Sequence, residues 1–104
     1  MNRGWLFNSK GEAIAFTEDE DVFFVSGVYL GRLEGDEVWY ARYKGEILLG
    51  DRLLRRRPIP SLTRAHGGTP ATPAVPQSRP KRKAIRLPPN FEDIEVQYPW
   101  VEMH

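Results

Sequence analysis

Gly11-Glu-Ala-Ile-Ala-Phe-Thr-Glu-Asp-Glu-Asp-Val-Phe-Phe24 and Gly27-Val-Tyr-Leu-Gly-Arg-Leu-Glu-Gly-Asp-Glu-Val-Trp-Tyr40 are two copies of one pattern. At a constant offset of 16 residues, Ile14 meets Leu30, Glu18 meets Glu34, Val22 meets Val38, Phe23 meets Trp39 and Phe24 meets Tyr40. A third copy starts at Gly45 with Ile47, Leu48 and Leu49, and Arg52-Leu53-Leu54 starts a fourth. The triplets Trp5-Leu6-Phe7, Val22-Phe23-Phe24 and Val38-Trp39-Tyr40 recur before successive glycines. Each unit reads as an apolar strand, a short turn ending near glycine, a second strand and an acidic connection, which is a hairpin.

Helices are the competing reading, but Asn8-Ser9-Lys10-Gly11, Ser26-Gly27, Gly35-Asp36 and Lys44-Gly45 interrupt the apolar runs too often for them. An isolated hairpin is marginal, so three or four units must share an apolar face. The expected fold is therefore all-β: a small domain of repeated hairpins, barrel-like or flower-like, with a proline-rich, mostly extended C-terminal tail.

The motifs Gly-x-x-Ile-Ala-Phe at Gly11, Gly-x-Tyr-Leu-Gly-Arg-Leu at Gly27 and Gly-Asp-Glu-Val-Trp-Tyr at Gly35 resemble the bacterial four-fold beta-flower domain over about half the chain. That resemblance implies a fold and supplies no activity. The fourth unit departs from the pattern, because Leu53-Leu54 is followed by Arg55-Arg56-Arg57-Pro58 instead of a turn glycine.

All nine prolines lie between Pro58 and Pro99. Proline lacks the backbone donor that a central strand needs, so the hairpin domain is expected to span residues 1–57. Residues 58–90 then form a basic linker, and residues 91–104 an acidic aromatic segment able to dock as an added strand. Charge follows the same division. Lys and Arg against Asp and Glu number nine to ten in residues 1–57, six to none in 58–90, and none to four in 91–104. Such segregation marks an interaction tail, one that can also fold over the acidic loops of the domain.

No cysteine is present, which removes disulfides and thiolate metal sites and points to a cytoplasmic location. Neither a signal peptide nor a membrane-spanning apolar run is found. The expected partners accordingly exclude a membrane.

Within the domain the strands are apolar on both faces: Val22 and Phe24 on one side and Phe23 and Val25 on the other, then Val38 and Tyr40 against Trp39, Ala41 and Tyr43. A sheet wetted on one face alternates instead, so the second face needs a cover. That cover is the domain's own closed core, the C-terminal segment, a second copy or another protein. Candidate partner-binding residues are Phe23, Trp39, Tyr43, Phe91, Tyr98 and Trp100, with self-association favoured over a foreign partner. Phe91, Ile94, Val96, Tyr98 and Trp100 largely alternate, as a strand added to a sheet edge would.

Arg79, Lys81, Arg82, Lys83 and Arg86 are candidates for nonspecific nucleic-acid binding, against the reading of a solvated linker. Glu18 to Asp21 and Glu34 to Glu37 form equivalent acidic loops without a calcium-loop spacing, and read as solvated. Ser9 and Ser26 stand at turns, where hydroxyls bond nearby backbone. His66 and His104 fall outside the domain, and no nucleophile or phosphate-loop motif occurs. The expectation is thus a non-enzymatic protein-interaction or assembly module without cofactor or metal, acting through its apolar faces and C-terminal segment. A nucleic-acid accessory is the alternative, with a carboxylate hydrolase ranked third.

Overall fold

A computed structural model describes residues 4–65, 67–76 and 78–99. Among them there is no helix; eight strands form one sheet in chain order. These are β1 (Trp5–Phe7), β2 (Ala13–Glu18), β3 (Asp21–Phe24), β4 (Tyr29–Glu34), β5 (Glu37–Tyr40), β6 (Arg42–Leu48), β7 (Arg52–Arg56) and β8 (Phe91–Asp93).

Strands β1 to β7 run as an antiparallel meander, and β1 pairs with β7 to close a seven-stranded barrel. In a meander the first and seventh strands point the same way, so this last pairing has to be parallel. It is also short. Phe7 stands opposite Arg52, and the Phe7 N–H donates to the Asp51 carbonyl at 2.8 Å.

The register sets which side chains face inward. Leu6 faces Ala15, Ala15 faces Phe24, Leu33 faces Val38, Val38 faces Gly45 and Ile47 faces Leu53. These residues, with Val22 and Leu30, form the barrel core or pack on it, apart from Gly45, which keeps the wall thin at its position. A Cβ at Gly45 would lie 2.7 Å from Ile94 Cδ1 and 2.9 Å from the Leu54 carbonyl oxygen, so only glycine fits there.

Strand β8 comes from far along the chain. It pairs antiparallel with β7, setting Leu54 against Asp93, Arg55 against Glu92 and Arg56 against Phe91. One edge of β7 is therefore shared, with β1 at its start and β8 along the rest. Beyond β8, Ile94 enters the barrel core and Val96 packs against it. At roughly 1.5–3 kcal/mol for burying an aliphatic side chain, Ile94 is a substantial part of so small a core.

In the 16-residue repeat, β1, β3, β5 and β7 are equivalent, as are β2, β4 and β6. Strand β8 takes the remaining place as the partner of β7, which makes residues 57–90 the long loop of a fourth hairpin. Where the turn glycine is missing, the chain leaves the barrel and returns to it. No helix among the described residues is long and apolar enough to cross a membrane.

Candidate interaction site at the barrel seam

The outer face of the sheet carries a ladder of aromatic rings. Trp5 faces Phe16, Phe16 faces Phe23 and Phe23 faces Tyr29 across successive strand pairs, with ring centroids 6.3, 5.8 and 5.2 Å apart. Tyr40 continues the row at 5.4 Å from Tyr29, and Trp39 meets Tyr43 edge-on at 5.8 Å. The phenol of Tyr29 donates to Asp21 at 2.9 Å, and that of Tyr43 donates to Glu46 at 2.7 Å. Burial first, and then the carboxylate partner, pushes both phenols well above their ordinary pKa.

Three of the candidate partner-binding residues are covered by the chain itself. Phe23, Trp39 and Tyr43 are only 1%, 4% and 3% exposed. Phe23 lies between Phe16 and Tyr29; Trp39 has the Arg64 guanidinium 4.1 Å above its ring, and Tyr43 has that of Arg56 at 5.2 Å. Of the covers considered for the second face, the chain itself supplies the one at these three positions, where stacked rings and arginine caps exclude water. Phe91 is half-buried beside β7, Tyr98 is exposed, and Trp100 lies outside the described residues, as do His66 and His104.

Several described residues beyond Arg57 bond to the barrel. The Arg64 N–H donates to the Ala41 carbonyl at 2.7 Å, the Arg82 N–H to that of Gly11 at 2.9 Å and the Ile85 N–H to that of Ser9 at 2.7 Å. Arg57 closes the loop by donating to the Asn90 carbonyl at 2.7 Å. Ala41, Gly11 and Ser9 belong to turns joining odd to even strands, which lie at one end of a meander, whereas Thr69 and Pro70 line a cleft with Glu20, Glu34 and Gly35 of the opposite turns.

The seam is fastened by Ser9 and Asp93. One carboxylate oxygen accepts the Ser9 N–H at 2.7 Å, and the other accepts its hydroxyl at 2.5 Å. Ser26 likewise donates its hydroxyl to the Gln97 carbonyl, besides accepting the Val28 N–H at 3.5 Å. The reading of Ser9 as a hydroxyl bonded to nearby backbone is corrected. Asn8 takes that part, its Oδ1 accepting from the N–H groups of Lys10 at 3.1 Å and Glu12 at 2.9 Å. Arg55 pairs with Glu92, and Arg56 bridges Glu37 and Glu46, tying β7 to β8 on one side and to β5 and β6 on the other.

The basic residues separate by direction. Arg82 packs its guanidinium 5.2 Å over the Phe7 ring and pairs with Asp51 at 3.1 Å. Arg79, Lys81, Lys83 and Arg86 are exposed, and none has an ion pair recorded among the described residues. In the acidic loops, Glu20 pairs with Arg32 at 2.8 Å and Glu34 with Arg64 of the basic segment. No cluster of three potential metal ligands occurs among the described residues.

Sequence reasoning missed Asp93 and the long-range role of Ser9. The available signal was an aspartate inside an otherwise alternating apolar segment. Comparison with protein-family models, curated proteins and solved structures returns no match.

Proposed function

We propose that this chain is a non-enzymatic interaction module that assembles with copies of itself by exchanging its C-terminal strand. The observation that carries this reading is the origin of β8: three residues pair with β7, and the Ile94 side chain joins the core, from beyond the long connection 57–90. An element attached through so long a connection can fill the same place on a second copy with the same bonds, which is the low-cost route to a dimer. Its removal bares one edge of β7, and a bare edge recruits a strand. The beta-flower resemblance fits this proposal, with β8 as the eighth strand.

Light scattering across a concentration series, after refolding at each concentration, tests the reading. A dimer fraction that grows with concentration is expected. A strict monomer throughout counts against it.

A second reading rests on Arg79, Lys81, Lys83 and Arg86, whose exposed charges are suited to a polyanion such as nucleic acid. Filter binding across salt concentrations tests it, with retention expected at low salt and lost as salt rises. No retention at low salt removes it.

A further inference from the structure

Thr69-Pro-Ala-Thr-Pro-Ala-Val-Pro76 has a proline at every third position. A polyproline II helix has three residues per turn, so such spacing aligns its prolines along one edge. The surroundings of this segment repeat with the same period. Pro70, Pro73 and Pro76 are half-buried, whereas Ala71 and Ala74 are exposed. Thr69, Thr72 and Val75 touch the barrel: the Thr69 hydroxyl lies 2.7 Å from that of Tyr40, the Thr72 hydroxyl donates to the Gly27 carbonyl at 3.4 Å, and the methyl groups of Thr72 and Val75 pack over Gly27. Pro70 lines a cleft with Tyr29, Arg32 and Leu33. The proline edge is thus half-buried, Ala71 and Ala74 are exposed, and Thr69 and Thr72 reach the barrel with their hydroxyls while remaining exposed themselves.

We propose that the aromatic track around Tyr29 and Tyr40 is a groove for a proline helix, occupied in cis by residues 69–76 and open to a partner peptide with proline at every third position. The chemistry is that of proline-rich recognition. A preformed helix loses little entropy on binding, flat rings receive its proline edge, and hydroxyls at the rim fix its position. The chain's own segment is the ligand whose chemistry the groove displays, so it acts as an intramolecular competitor for a partner of the same kind. The proposal extends the interaction-module reading to a surface separate from the seam.

The test uses a fluorescent peptide of residues 67–78, a second peptide with Pro70, Pro73 and Pro76 replaced by alanine, the full chain, and a full chain carrying Pro73→Ala and Pro76→Ala. Binding is read by anisotropy and by the ring resonances of Tyr29 and Tyr40. The substituted chain is expected to bind the proline peptide at least tenfold more tightly than the parent chain, and neither chain to bind the alanine peptide. Equal binding of the two peptides, equal binding by the two chains, or no binding overturns the proposal. Should the double variant lose its native ring resonances, Thr69→Val removes the chain's own hydroxyl contact with Tyr40 while leaving the groove unchanged, and is expected to gain several-fold; no gain there overturns the proposal as well. Tyr29 and Tyr40 ring resonances that shift with protein concentration in the absence of peptide identify a second copy as the occupant of the groove and also overturn it. Peptide binding that fails while concentration-dependent dimers persist defeats the groove alone. Peptide binding by a strict monomer defeats strand exchange alone.

Discussion

The Asp93 carboxylate accepts both hydrogen-bond donors of Ser9, its N–H and its hydroxyl, across a separation of 84 residues. Both bonds end on a charged group in a partly buried site, where such bonds contribute about 1.5–3 kcal/mol. Asp93→Ala is expected to lower the urea midpoint by a loss of about that size and to leave the Ser9 N–H unsatisfied. Amide exchange at residues 91–94 should accelerate more than exchange in β3 or β5. Uniform acceleration would place the seam in the global folding unit instead.

Among the described residues, Ile94 is the one fully buried core side chain supplied from beyond the loop 57–90, with Val96 packed against the core. Ile94→Ala should cost about 2–5 kcal/mol, as large-to-small changes in cores do. Calorimetry checks this. A loss below about 1 kcal/mol would mean that the barrel closes without it.

Leu49 has a φ of 55° in the turn between β6 and β7, with its side chain 74% exposed. A branched side chain is strained in the left-handed region and contributes little packing from there, whereas asparagine tolerates it. Leu49→Asn is expected to raise stability by about 0.5–1 kcal/mol, read from thermal unfolding.

Tyr29 and Tyr43 give the protein an alkaline limit. Their phenols titrate above the ordinary value near 10 in the fold, because burial and the Asp21 and Glu46 carboxylates oppose ionisation. Below pH 10 the folded and unfolded states both hold these protons, and the full contribution is present. Above it the unfolded chain releases protons that the fold retains, so stability falls with rising pH. Tyr43→Phe should flatten that fall in urea titrations between about pH 9.5 and 11.

The hairpins were legible because their information is local. Gly11, Gly27 and Gly45 mark the 16-residue repeat, and each strand finds its partner a few residues away. Closure was less so. Nothing near Ser9 records that its partner is Asp93, and nothing near Trp39 records that Arg64 will lie on its ring. Phe23, Trp39 and Tyr43 showed that the second face needs a cover, but the identity of that cover depends on the course of residues 58–90 around the barrel.

The central claim is that Asp93 fastens the seam at Ser9, on its own barrel or on that of a second copy. The chain has no cysteine, so Ser9→Cys with Asp93→Cys creates the only thiols in the molecule. After refolding and mild oxidation, non-reducing electrophoresis should show an intrachain disulfide at low concentration and interchain dimers that increase with concentration. Free thiols at every concentration would contradict the seam. A disulfide that stays intrachain throughout would contradict the exchange.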